Sequence, residues 1–148
     1  MLQCKISSNI DDLNQLNKQF NWIPNEYSIR PDSQNLEQKN FYCKEILSEY
    51  GSFNEYIFKN VFNSDLSNKW VFKPAHFRYN ISFNTNHYVL WNIEHNFEFE
   101  WENYEIINNK IKEELNKICS SYDFVWYKNP KPTVIEYYHV QVFWIKLS

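Results

Sequence analysis

A single glycine, Gly51, serves the whole chain of 148 residues. Walker A loops, dinucleotide-binding fingerprints and kinase-type phosphate loops each need several glycines, because the backbone itself must approach the phosphate closely. All three are excluded, as is a G-x-S-x-G nucleophile elbow. Cysteine is almost as sparse. Cys4, Cys43 and Cys119 are odd in number and far apart, with no C-x-x-C spacing, which speaks against a structural zinc site or a secreted disulfide framework. Cys43 and Cys119 fall on helical faces and read as small core residues. No stretch approaches 18 uninterrupted apolar residues, so no membrane span is expected. The start, MLQCKISSNIDDL, lacks the charged and then apolar pattern of a signal peptide. The expectation is a soluble, cytoplasmic protein with free thiols. Charge of one sign is also missing: 22% of residues are charged and the net charge is −3. That balance argues against a broad surface for long DNA or RNA, while leaving room for a local basic pocket.

What the chain has instead is aromatic bulk. Phe, Tyr and Trp supply 20% of residues. A chain of this length suits one domain, 1–148, and buries about 68–70% of its unfolded surface without staples. Residues 1–65 read as mainly helical, with NIDDLNQLNKQF, SQNLEQKNFYCKEILSEY and SFNEYIFKNVF as three candidate helices. The second places Leu36, Phe41, Ile46, Leu47 and Tyr50 at near-helical spacing, and Gly51 follows as a C-terminal cap. Ser52 with Glu55 forms a capping box for the third. From residue 70 the period shortens. KWVFKP, HFRYNI and HYVLWNI read as strands. The segment WENYEIINNKIKEELNKIC then sets Tyr104, Ile107, Ile111, Leu115 and Ile118 three and four apart, an amphipathic helix. DFVWYKN and VIEYYHVQVFW return to strand across the short NPKPT connection, which favours antiparallel pairing. The expected class is α+β, a helical N-terminal part followed by an antiparallel sheet with one long packed helix.

The last strand carries the most chemistry. Alternation sends Tyr137, His139, Gln141 and Phe143 to one face, and Glu136, Tyr138, Val140, Val142 and Trp144 to the other. The second set is apolar enough to be the core side. The first is a polar row that either faces a site or holds a buried histidine with one good hydrogen bond.

EYGS at 49–52, NHYVLW at 86–91, FVWYKNP at 124–130 and EYYHVQV at 136–142 occur in that order. Together they resemble the fungal N-acetylglucosamine-induced protein family, a domain family of unknown function also seen in large viruses and bacteria. From HFRYNISFNTNHYVLW through DFVWYKNP to EYYHVQVFW, about half the chain is also similar to the histidine triad superfamily. That resemblance implies a strand-opening histidine at His87, a strand-ending asparagine at Asn129 and a nucleophilic histidine at His139. Gln141 falls where the galactose-1-phosphate uridylyltransferase branch has glutamine. Tyr137 departs from the pattern, which normally has histidine there, and puts the chemistry in doubt while the fold is kept. The resemblance also implies a homodimer.

The resemblance makes His139 a nucleophile toward an α-phosphate, with His87 and Asn129 holding it and Gln141 bonding phosphoryl oxygens. Arg78 could grip a phosphate bidentately and Lys128 act as a point charge. Trp91, Trp126 and Tyr137 could stack on a base or sugar ring. Each residue also has a plain structural role: a core histidine, a turn asparagine before Pro130, a solvated cation, a packed aromatic. NFEFEWENYE, residues 96–105 beside His95, has no recognised ligand spacing, and His76 reads as a surface residue, so neither a metal nor a cofactor is expected. The leading expectation is a pocket for a small phosphorylated ligand, a nucleotide or sugar nucleotide, in a nucleotidyl hydrolase or transferase. The alternatives are a binding module for a nucleotide, RNA cap or sugar nucleotide without chemistry, and a protein-interaction domain.

Overall fold

A computed structural model of the chain describes residues 5–29, 33–64, 67, 69–75, 81, 84–92, 101–128 and 137–147, with the side chains of 33–36 and 101–103 excepted. Helix α1, Ile10–Gln19, starts at Asn9, whose side chain accepts from the Asp12 amide at 3.0 Å. Asp11 and Asp12 in its first turn and Lys18 in its last complement the helix dipole. Helix α2, Ser33–Tyr50, stops at Gly51, whose φ of +81° is the left-handed conformation that a side chain resists. Helix α3, Phe53–Asn60, follows at once, capped by Ser52 Oγ accepting from the Glu55 amide at 3.2 Å. Then come β1 (Trp70–Pro74), β2 (Asn86–Asn92), α4 (Trp101–Ile118), β3 (Tyr122–Tyr127) and β4 (His139–Lys146). The α+β class expected from the sequence is the class observed. The HFRYNI strand expectation falls almost wholly outside the described residues.

The sheet has order β1-β2-β4-β3, and every neighbouring pair is antiparallel. The last strand therefore inserts between β2 and β3. Its register sets Trp91 opposite His139, Val89 opposite Gln141 and His87 opposite Phe143, with Tyr127 opposite Gln141 on the other side.

Alternation across this register divides the sheet into two faces. One face packs Leu90, Phe124, Trp126, Val140, Val142 and Trp144 against Ile107, Ile111 and Leu115 of α4. The other meets the N-terminal helices in two separate apolar clusters. Leu13 of α1, with Trp22 and Ile23, covers Val125, Tyr127 and Phe143. Ile57 of α3, with Phe62, covers Val89, Trp91 and Tyr137. The face expected to open on a pocket is thus also covered, because the helical N-terminal part folds back over it.

The helix faces carry two local corrections. Ile118, expected on the buried stripe of α4, is 46% exposed, and on α2 Phe41 is 65% and Leu47 46% exposed while Ile46 is buried. Among the described residues no helix is long and apolar enough to cross a membrane.

Candidate functional site

The polar residues of the face opposite α4 are His87 near the start of β2, Gln141 diagonal to it in β4, and His139 at the head of β4, two residues before Gln141 on the same face. His87 and His139 share this face, because Trp91, four residues beyond His87 on β2, sits directly opposite His139. Histidines on opposite faces could not serve one site.

His139 is half-buried. Its Nδ1 lies 3.0 Å from the Tyr137 carbonyl oxygen. A carbonyl can only accept, so Nδ1 carries the proton. The ring stacks on Trp91, with centroids 4.5 Å apart and planes 30° from parallel. Burial pushes the imidazole below its ordinary pKa of 6.5, helped by the positive charge of Lys128, while the Tyr137 bond pulls the other way. Near neutral pH the ring is therefore uncharged, with Nδ1 protonated and the lone pair on Nε2, for which no hydrogen bond is shown among the described residues.

His87 and Gln141 are deeper, at 5% and 8% exposure, and are joined by a contact of 2.6 Å between Nε2 and Oε1. The His87 ring stacks on Phe143, 4.8 Å away. The hydrogen bond shown for His87 thus goes to Gln141, and the phosphate contact expected of it gives way to a bond that orients a neighbour. Tyr137 is buried against Phe62, ring centroids 5.2 Å apart, and acts on His139 through its backbone carbonyl. That supplies a reason for its position that needs no histidine there.

The remaining expected contacts divide. Trp91 adjoins the site, but one ring face is taken by His139. Trp126 lies on the opposite face, fully buried, with Nε1 donating to Asn108 Oδ1 at 2.5 Å. It cannot line a pocket with Trp91 and Tyr137, because one residue of offset on a strand inverts the face. Lys128 is one residue past β3, with its ammonium 4.9 Å from the centroid of the Tyr138 ring, on the α4 side of the sheet. Asn129 and Arg78 lie outside the described residues, as do His76 and His95. Among the described residues no group of three or more His, Cys, Asp or Glu side chains could hold a metal ion.

Three features escaped the sequence reading. Phe143 carries the His87 ring, and its signal was there, since it shares alternation with His139 and Gln141. Tyr138 carries Lys128, which alternation on the other face could have suggested. The Lys5–Asp123 ion pair had no local signal. Asp123, the second residue of β3, binds the Lys5 ammonium with one oxygen; the other accepts from the amides of Lys5 at 3.2 Å and Phe124 at 3.1 Å. The Lys5 ammonium also sits 4.0 Å from the centroid of the Phe20 ring. These contacts tie the start of the chain to β3, 118 positions away.

No protein-family model and no curated protein matches the chain. Among solved structures it is similar to the crystal structure of a protein named HTC1, with a TM-score of 0.57 over 96% of this chain and 86% of that one. The two are 12% identical, so the likeness is one of fold.

Proposed function

We propose that the chain is a histidine-triad-like domain whose His139 works on a small phosphorylated ligand, a nucleotide or sugar nucleotide, as a nucleotidyl hydrolase or transferase. One observation carries this reading: the Nδ1–H of His139 is committed to the Tyr137 carbonyl, which leaves Nε2 as the lone pair of an uncharged imidazole. In the proposed reaction Nε2 forms a bond to phosphorus as the bond to the leaving group breaks. The leaving group takes the bonding pair and then a proton from solvent. Water, or an acceptor hydroxyl, next attacks phosphorus and gives up its proton to solvent; the N–P bond breaks and the imidazole recovers its lone pair. Gln141 would steady the phosphoryl oxygens through its amide N–H groups.

A binding module without chemistry is the second reading. It is favoured by the bond between His87 and Gln141 and by the stacking of Trp91 on His139, both of which commit candidate groups to the protein itself. The two readings separate in one experiment. Purified protein is mixed with nucleoside phosphoramidates, dinucleotides and sugar nucleotides beside a His139→Ala variant, and products are followed by chromatography. Turnover that disappears in the folded variant supports the enzyme. No turnover by wild type on any compound, with nucleotide binding retained, supports the module.

A further inference from the structure

We propose that His87 is a positioning residue: by donating Nε2–H to Gln141 Oε1 it fixes the Gln141 carboxamide so that the NH2 end is presented on the His139 side. This rests on the phosphate reading of the site and adds to it a residue that never touches the ligand. The two ends of a glutamine amide have nearly the same shape, so packing alone does not choose between them; a fixed donor does. His87 is placed to be such a donor. Its imidazole is 5% exposed, stacked on Phe143, and 2.6 Å from Gln141 Oε1, an oxygen that can only accept. Gln141 follows His139 by two residues on the same strand face, about 7 Å along. With Oε1 held at His87, what Gln141 can offer there is a pair of N–H donors, the match for phosphoryl oxygens. Reversed, the amide would set an oxygen lone pair against those same oxygens.

The pair is bistable on paper. An Nδ1–H tautomer of His87 would make Nε2 an acceptor and turn the NH2 end inward, so the tautomer itself reports the state. The first measurement is therefore nitrogen NMR of the ligand-free wild type, which needs no variant to fold. The expected result is a neutral His87 protonated at Nε2; protonation at Nδ1 overturns the proposal. The second is a titration with adenosine monophosphate, followed by the His139 ring resonances, in wild type, His87→Phe, Gln141→Leu and the double variant. His87→Phe keeps a ring to lie on Phe143 and removes the donor to Gln141. Each single variant is expected to weaken binding about tenfold or more, and the double variant no further than Gln141→Leu, because His87 acts only through Gln141. Additive losses overturn the proposal, since they would give His87 an effect of its own. Absence of any wild-type response, with the Nε2–H tautomer in place, overturns the phosphate reading and this inference with it, and is distinguishable from a wrong tautomer.

Discussion

The two faces of one sheet differ in a way their strands do not. Against α4, residues of β2, β3 and β4 form a single continuous apolar layer, with Leu90, Phe124, Trp126, Val140 and Val142 fully enclosed. The indole N–H of Trp126 meets a partner that α4 itself supplies, Asn108. On the opposite face the same strands meet two covers, α1 with Trp22 and Ile23, and α3 with Phe62. That face also carries His87, Gln141 and His139. One face is built for stability, since burial of apolar area at about 25 cal/mol per Å2 rewards an unbroken layer. The other gives up part of that gain to keep polar groups in place. Buried polar groups are costly unless bonded, and the bonds of His87 Nε2 to Gln141 and of His139 Nδ1 to Tyr137 offset part of that cost, with no hydrogen bond shown for His139 Nε2 among the described residues.

Substitutions can break this contrast on either side. The largest effect is expected at Asp123→Ala on the two-cover face. It strands the Lys5 ammonium in a buried position and should cost about 3–5 kcal/mol in chemical unfolding. Ile111→Ala opens a cavity on the α4 face and should cost about 2–5 kcal/mol. It should leave the tautomer of His139 as in wild type by nitrogen NMR, because the sheet lies between them. Trp126→Phe leaves Asn108 without the indole donor and should cost about 1–3 kcal/mol, again with no change in His139 chemistry. Ser52→Ala removes the α3 cap and should cost about 1 kcal/mol.

The smallest effect sharpens the comparison through pH. Burial lowers the pKa of His139 in the folded state below the ordinary 6.5. Between the folded and unfolded values the unfolded chain binds more protons, so stability rises with pH through that window and levels off above about 6.5. His139→Gln should flatten this limb in unfolding midpoints measured from pH 5 to pH 8, whereas substitutions under α4 should leave its shape unchanged.

The parts legible in the sequence are those set by neighbours in the chain. Ser52 and Glu55 are three apart, and Gly51 is the sole glycine, so the junction of α2 and α3 could be read directly. Ile107, Ile111 and Leu115 announce α4 by spacing alone, and alternation in β4 assigns His139 and Gln141 to one face correctly. What alternation cannot give is the far side of that face. Nothing local says that Leu13 and Trp22 fold onto Val125 and Phe143, or that Lys5 reaches Asp123, because those pairings depend on the tertiary path. The face taken by Trp126 is hidden from the sequence for a related reason. An aromatic residue in a strand near a histidine strand looks like a pocket wall until the register fixes its parity, and the register here puts it opposite Val142 on the α4 side.

The proposed chemistry needs the lone pair at His139 Nε2. The most direct measurement is to mix the protein with an activated nucleoside monophosphate, a phosphorimidazolide, quench in alkali where phosphoramidates survive, and locate any adduct by peptide mass spectrometry. The account predicts one nucleoside monophosphoryl group on the peptide carrying His139, bonded through Nε2 and absent from His139→Ala. No adduct on the folded wild type, or an adduct on another histidine that persists in the variant, would contradict it.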